Sequence, residues 1–289
     1  ATSVQAQSIV TVSPPLGDFS IQLFDEVAPI TVNNFLNYVI DGRYNGTFFH
    51  RTVPGFVIQG GLMAFNEENG DYDYIEPDRT ILNELFISNT RGTVAMAKVD
   101  GNPNSATSQW FVNLADNSGL DGINGGFTVF GLVIGDGMTV VDQIANLPSA
   151  TVNNGLDSRV PLINYFGGGL QASNFVSIET AVVQSHRPNT YSELKNRLNF
   201  KIDAGSLGLL GLSFVIESQT PSVVIRALPE TAIPLKFIQP EFGSFDPATE
   251  VLNLPDLVIN GAIAYRNLQL QLTDEQQLLF TLTNAEVAE

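Results

Sequence analysis

Arg51 is the residue whose type and setting point most directly to chemistry. It lies in the run Phe48-Phe49-His50-Arg51-Thr52-Val53-Pro54-Gly55-Phe56-Val57-Ile58-Gln59-Gly60-Gly61, a lone cation among aromatic and aliphatic side chains. A guanidinium stays protonated and presents rigid donors. It can therefore act as a fixed electrostatic donor but not as a general acid. Other chemistries are poorly supplied. There are two histidines, His50 and His186, and no cysteine. A Ser/His/Asp hydrolase arrangement, a thiol nucleophile, a thiolate metal site and a disulfide are thereby excluded. His50 should point away from Arg51 on a strand and read as a structural, hydrogen-bonded histidine. Asp100-Gly101-Asn102-Pro103-Asn104 imitates the start of a calcium loop. It lacks the sixth-position glycine and the distal glutamate, where Phe111 stands. The acidic run Glu67, Glu68, Asp71, Asp73, Glu76 and Asp78 reads as a solvated loop. Asn45-Gly46-Thr47 matches a glycosylation sequon and reads as a turn.

The elements that must position Arg51 follow from hydrophobic period. Phe19, Ile21 and Leu23 alternate with Ser20 and Gln22, giving a half-buried strand. Val32, Phe35, Leu36, Val39 and Ile40 share one helical face after Pro29, and Gly42 closes that helix. Short strands are predicted over Thr47 to His50, Phe56 to Gln59, Thr93 to Ala97, Gln109 to Leu114, Phe127 to Val133 and Val176 to Val183. A second helix is predicted over Met138 to Ala145. If Gln109 and Phe111 face a site, Trp110 and Val112 face the core. His186-Arg187-Pro188-Asn189 reads as a linker. Thr190 with Glu193 fits a capping box for a short helix carrying Tyr191, Leu194 and Leu198. Beyond it, Asn260-Gly261 marks a hairpin, Leu268, Leu270 and Leu272 alternate with glutamines, and Leu278 to Leu282 forms a strand.

The totals set bounds. A chain of 289 residues holds one large or two ordinary domains. At 44% hydrophobic and 15% charged it can build a sizeable core. The net charge of −17 repels phosphate backbones, so nucleic acid is a poor partner. The most apolar stretch, Ala204 to Ile216, is broken by Gly205, Gly208 and Gly211 and is too short to span a bilayer as a helix. The first residue is Ala1 and no basic-then-apolar leader follows. A mature form whose export signal is gone would look so, as would a trimmed chain. Periplasmic or secreted residence is the expectation.

The Phe48–Gly61 run resembles the signature of cyclophilins, in which an F-H-R strand leads into P-G-F and then Q-G-G. Ser105-Ala106-Thr107-Ser108-Gln109-Trp110-Phe111-Val112-Asn113 is a second match. Leu120-Asp121-Gly122 followed by Val129-Phe130-Gly131 is a third. The order and spacing agree over roughly Ser8 to Ser185, and the insertion between Met96 and Gln109 is similar to the bacterial branch. The resemblance implies a closed antiparallel eight-stranded barrel capped by two helices over 8–185, with a smaller β-rich accessory domain over 186–289. It implies a peptidyl-prolyl cis/trans isomerase that acts on proline-containing peptides and on unfolded or folding proteins, assists the folding of exported proteins, and needs no metal or organic cofactor. Arg51, Gln59 and Phe56 would be catalytic. Val57, Ala97, Lys98, Gln109, Phe111, Leu120 and Phe127 would bind substrate, the backbone at Ala97 and Lys98 pairing with the substrate main chain.

Three positions depart from the common pattern. Gly119 stands where many members carry a tryptophan that contacts cyclosporin, so cyclosporin binding is expected to be weak. Phe127 replaces a histidine common at the far wall of the proline pocket, and Lys98 replaces an asparagine. These departures keep a second reading open: a weakly active proline-binding chaperone or scaffold, with the C-terminal domain supplying partner binding.

Overall fold

In the computed structural model the described residues are 7–152 and 159–288. The chain divides into two compact units. One comprises Ile9–Leu23 with Asn34–Gln184, and the other Phe24–Asn33 and Ser185–Glu289 with the start of the chain.

The first unit contains strands β1 (Ile9–Ser13), β2 (Phe19–Leu23), β3 (Arg51–Val53), β4 (Val57–Gly60), β5 (Met63–Asn66), β6 (Asp71–Tyr74), β7 (Thr93–Met96), β8 (Trp110–Asn113), β9 (Val129–Ile134), β10 (Ser149–Thr151), β11 (Arg159–Pro161) and β12 (Thr180–Ser185). Eight form one sheet in the order β12-β1-β2-β9-β7-β8-β4-β3. Its edges meet: Phe48 bridges Ser177, Phe49 N–H donates to the Val176 carbonyl at 3.1 Å, and Ile178 N–H to the Thr47 carbonyl at 2.6 Å. The fold is mainly β, and this sheet curls into a half-barrel whose expected closure is made only by these flanking segments, since β3 and β12 themselves do not pair. Thr47 to His50 and Val176 to Ser177, predicted as strand, make these bridging contacts, and regular strand begins later, at Arg51 and Thr180.

The helices are α1 (Pro29–Ile40) and α2 (Gly137–Ala145), and α2 packs on the sheet. In α1 the apolar stripe buries Phe35 against Tyr44, Trp110 and Phe130, with ring centroids 5.4, 6.0 and 4.9 Å away. Each such buried aromatic contributes about 1.5–3 kcal/mol. The helix ends where Gly42 turns to φ +68 and its N–H reaches the Val39 carbonyl at 3.0 Å. Trp110 lies in this core, as alternation along β8 requires.

The second unit carries β13 (Thr190–Ser192), β14 (Arg197–Asp203), β15 (Leu209–Ser218), β16 (Val224–Pro234), β17 (Gly243–Asp246), β18 (Val251–Ile259), β19 (Ala262–Asp274) and β20 (Leu279–Val287). The ring β14-β15-β16-β20-β19-β18-β17 closes where β17 returns in parallel to β14, so this domain is a seven-strand barrel. Phe200, Phe214 and Phe280 stack through its interior, at 5.0 and 5.8 Å. Asn260 and Gly261, both at positive φ, make the predicted hairpin.

Two expectations fail here. Thr190 to Leu198 is a β-hairpin, not a capped helix: Thr190↔Asn199 and Tyr191↔Leu198 are cross-strand partners. The three- and four-residue spacing of Tyr191, Leu194 and Leu198 was incidental, for Leu194 is 71% exposed while Leu198 points into the barrel core. Nor is His186 to Asn189 an exposed tether. Asn189 is fully buried and donates to the Glu241 carbonyl at 3.0 Å. The His186 ring is hydrogen-bonded to Lys201, and burial pushes its pKa down to about 2. Lys201 in turn lies 3.8 Å from the Asp25 carboxylate, both groups buried, with Ser8 donating to Asp25 from its hydroxyl and its N–H. Burial drives the Lys201 pKa down and the Asp25 pKa up.

Candidate active site

Pairing brings the chemistry of the Phe48–Gly61 run to one face. Arg51 opposes Gln59 across β3 and β4, and Gln59 opposes Phe111 across β4 and β8. Direct partners in a sheet project to the same side, so Arg51, Gln59 and Phe111 converge, and Val57 sits on the same strand as Gln59. The turn Pro54-Gly55, with Gly55 at φ +71, swings Phe56 back beside them. The Phe56 carbonyl is held by the Leu114 N–H at 2.8 Å and by Asn117 Nδ2 at 2.9 Å.

A hollow of about 210 Å³ results, lined by Arg51, Phe56, Val57, Gln59, Ala97, Lys98, Phe111, Leu120 and Phe127. Phe111 and Phe127 meet edge to face, 5.8 Å between centroids, and form its apolar end. Gln109 is the one expected site residue that does not line it. Its Oε1 accepts from Gln59 Nε2 at 2.9 Å, behind the wall. Its backbone carbonyl accepts the Ala97 N–H at 2.9 Å.

Arg51 is half-buried. Its Nη1 donates over a long 3.5 Å to Gln59 Oε1. Among the described residues no carboxylate pairs with it. Burial alone lowers its pKa from the ordinary value, and a guanidinium so placed remains charged. The structure therefore sets a cation without a counterion on the rim of an apolar hollow. His50, the next residue, points inward and is 1% exposed. Burial pushes its pKa down to about 4, against a hydrogen bond to the Gln109 side chain that raises it.

Sequence reasoning missed the polar frame behind the hollow. Lys98 Nζ donates to the carbonyls of Asn124 and Gly126 and to Asn83 Oδ1, and stands 5.0 Å over the Phe127 ring. Its side chain thus fixes the loop that carries the far wall. Asp121, quoted in the Leu-Asp-Gly motif without a role, accepts from Asn89 N–H at 3.0 Å and Asn89 Nδ2 at 2.9 Å. Asn89 Nδ2 also reaches the Phe127 carbonyl at 3.1 Å. The asparagines of these loops were the available signal. Among the described residues no group of three acidic or histidine side chains is placed to hold a metal.

Residues 8–164 match the family described as cyclophilin type peptidyl-prolyl cis-trans isomerase/CLD. The chain belongs to the cyclophilin family of peptidyl-prolyl isomerases. A peptidyl-prolyl cis-trans isomerase of Acinetobacter baylyi is 44% identical over 160 residues, 54% of this chain and 80% of that protein. Peptidyl-prolyl cis-trans isomerase B of Escherichia coli is 42% identical over 158 residues, 53% of this chain and 92% of that one. A crystal structure of a Cryptosporidium parvum cyclophilin type isomerase superposes with a TM-score of 0.45 at 25% identity, covering 62% of this chain and 99% of that one. This cyclophilin is thus a peptidyl-prolyl cis-trans isomerase with a β-barrel domain added after its catalytic domain. Its substrates are proline-containing peptides. No helix among the described residues is long and apolar enough to cross a membrane.

Proposed function

We propose that Arg51 is the catalytic donor of this isomerase and that the hollow beside it receives the substrate proline. An X–Pro bond rotates over a barrier of about 18–20 kcal/mol because twisting destroys amide resonance. Half-way round, the prolyl nitrogen becomes pyramidal and gains a lone pair that neither planar isomer has. A donor aimed at that lone pair binds the transition state better than the ground states. The observation that carries this reading is a half-buried guanidinium without a carboxylate partner at the edge of an apolar hollow. Phe111, Leu120, Phe127 and Val57 offer the apolar surface a pyrrolidine ring needs. Phe56 closes the side, Gln59 orients the adjoining peptide, and the backbone at Ala97 and Lys98 pairs with the substrate chain.

A charge-assisted hydrogen bond contributes about 1.5–3 kcal/mol, which is roughly one to two powers of ten in rate. Arg51→Ala, assayed on a prolyl peptide at matched folding, is expected to lower kcat/KM at least about tenfold. An unchanged rate would remove Arg51 from the mechanism. If peptide binds wild type without acceleration, the scaffold reading replaces this one.

We propose further that the clients are exported proteins outside the cytoplasm, that the second barrel supplies partner binding, that cyclosporin binds weakly for want of a tryptophan at Gly119, and that nucleic acid is not a partner. The acidity of the chain supports the last of these. Cell fractionation tests the location, and isolation of the protein with the cytosol would refute it.

A further inference from the structure

The second barrel is packed solid at one end and open at the other. Phe200, Phe214, Phe280 and Phe245 follow one another through its interior, 5.0, 5.8 and 6.1 Å between successive centroids, and plug the first end. Toward the other end β16 and β20 part. They pair over three residues, Val224 to Arg226 against Thr281 to Leu279. The next tie outward is the Leu282 N–H to the Val223 carbonyl at 2.9 Å. Beyond it β20 runs on against β19, in a register that slips at three places. Gln219 and Ala285, both exposed, stand on either side of the gap. The result is a cavity of about 400 Å³, against about 210 Å³ for the hollow beside Arg51. Every residue that lines it belongs to the second unit.

The lining decides what such a cavity can hold. Its floor is Phe200, Ile225 and Leu270, all buried, and its walls include Ile216 and Val223. Tyr191, Gln219 and Tyr265 are its only polar side chains, and the Tyr191 hydroxyl already donates to Asn196 Oδ1 at 3.0 Å. Water takes about 30 Å³ a molecule and needs two to four polar partners, so water is a poor filling for this space. An apolar guest releases the apolar wall from water instead. No charged side chain among the described residues lines the cavity. Arg226, next to Ile225, has its Nε committed to Glu217 at 2.6 Å. An ionised headgroup therefore finds no counterion here, and an anion meets a chain of net charge −17. We propose that the second barrel is a binding site for an uncharged, largely apolar small molecule, held inside the barrel with any hydrogen-bonding group at the mouth beside Gln219 and Tyr265. A barrel mouth with an apolar floor and a few polar groups at its rim is where such ligands settle. This site needs the inside of the barrel and leaves its outer surface to any protein partner. It does not depend on the reading of Arg51.

The test is a fluorescence titration of the full chain with the neutral dye N-phenyl-1-naphthylamine, followed by displacement with 1-decanol and with decanoate at pH 8, where the carboxylate is ionised. The expected result is saturable, blue-shifted binding at one site per chain, with decanol displacing the dye at least about tenfold more tightly than decanoate. Ile216→Trp, which pushes an indole into the cavity, should weaken dye binding at least about tenfold. Leu207→Trp, on an exposed turn of the same domain that does not line the cavity, should stay within about twofold of wild type. If Ile216→Trp does not fold, Ala285→Trp at the exposed mouth gives the same answer. A prolyl peptide should not displace the dye, and decanol should leave isomerase activity unchanged, which separates this cavity from the hollow beside Arg51. Absence of saturable binding overturns the proposal, as does binding that both tryptophan variants leave intact or that a prolyl peptide abolishes. Equal displacement by decanoate overturns the uncharged class of ligand. A wild-type dimer that Ala285→Trp converts to monomer would show that a second copy of the chain covers the mouth, and would overturn it too.

Discussion

Replacing Gly61 by alanine probes how tightly the Gln-Gly-Gly motif is built into the site. Gly61 stands at φ +80, and a Cβ there would lie 2.6 Å from the Ser108 carbonyl oxygen, 2.9 Å from Trp110 Cδ1 and 3.0 Å from Tyr44 Cε1. None of these can give way cheaply. The Ser108 oxygen accepts the buried Tyr44 hydroxyl at 2.7 Å, and Trp110 is wedged between Phe35 and Phe49. The left-handed backbone costs an alanine about 1–2 kcal/mol. Overpacking adds about 1–3 kcal/mol, and straining the Tyr44 bond about 1 kcal/mol. Gly61→Ala is therefore expected to destabilise the first unit by about 3–6 kcal/mol, lowering its Tm by roughly 10 °C or more. Gly70 at φ +72 has nothing within 4 Å of its added Cβ. Gly70→Ala should then show the backbone cost alone, about 1–2 kcal/mol. Ser108 and Trp110 flank Gln109, so the same push should disturb the amide behind the hollow and slow isomerisation beyond what unfolding explains. Urea denaturation of both variants, with isomerase kinetics on the folded fraction, makes the measurement. If Gly61→Ala costs no more than Gly70→Ala, the close approach of β4 to β8 does not constrain the site.

Acid should weaken the isomerase unit through His50. Its pKa is about 4 when folded and 6.5 ordinarily, so the unfolded chain takes the proton first. Stability is intact above pH 6.5, falls through the window down to pH 4, and loses about 3 kcal/mol in all. Urea midpoints at the two ends of that window should converge in His50→Gln, and a variant as acid-sensitive as wild type would contradict this. Gly119→Trp, placed where an added Cβ meets nothing within 4 Å, should tighten cyclosporin inhibition at least about tenfold, and unchanged inhibition would show that another feature of the groove sets sensitivity. Lys201→Met strands the buried Asp25 carboxylate and should cost the second unit about 3–5 kcal/mol, part of it recovered by adding Asp25→Asn. A loss below about 1 kcal/mol would mean that the pair is already neutral in the fold.

Much of this protein was written locally. The apolar stripe of α1, its glycine stop, the alternation along β2 and β8, and the Asn260-Gly261 turn are read correctly because period and turn chemistry act over a few residues. Local reading failed at Thr190 to Leu198, where a helical spacing was overridden by pairing with Asn199 and by the barrel that buries Leu198. His186 failed for a related reason. Nothing beside it in the chain announces that Lys201 and Asp25 will close around it.

The site divides the same way. Residue type determined that Arg51 would carry a permanent charge, that histidines and cysteines were too few for other chemistry, and that Phe56, Phe111 and Phe127 could wall an apolar slot. Which of these would meet was decided only by the register of β3, β4 and β8, with Arg51 opposite Gln59 and Gln59 opposite Phe111. The Gln59–Gln109 contact, the absence among the described residues of a carboxylate beside Arg51 and the tethering of the far wall by Lys98 depend on contacts between residues up to 50 positions apart. Side-chain chemistry is fixed residue by residue, whereas distance and desolvation exist only once remote strands are brought together.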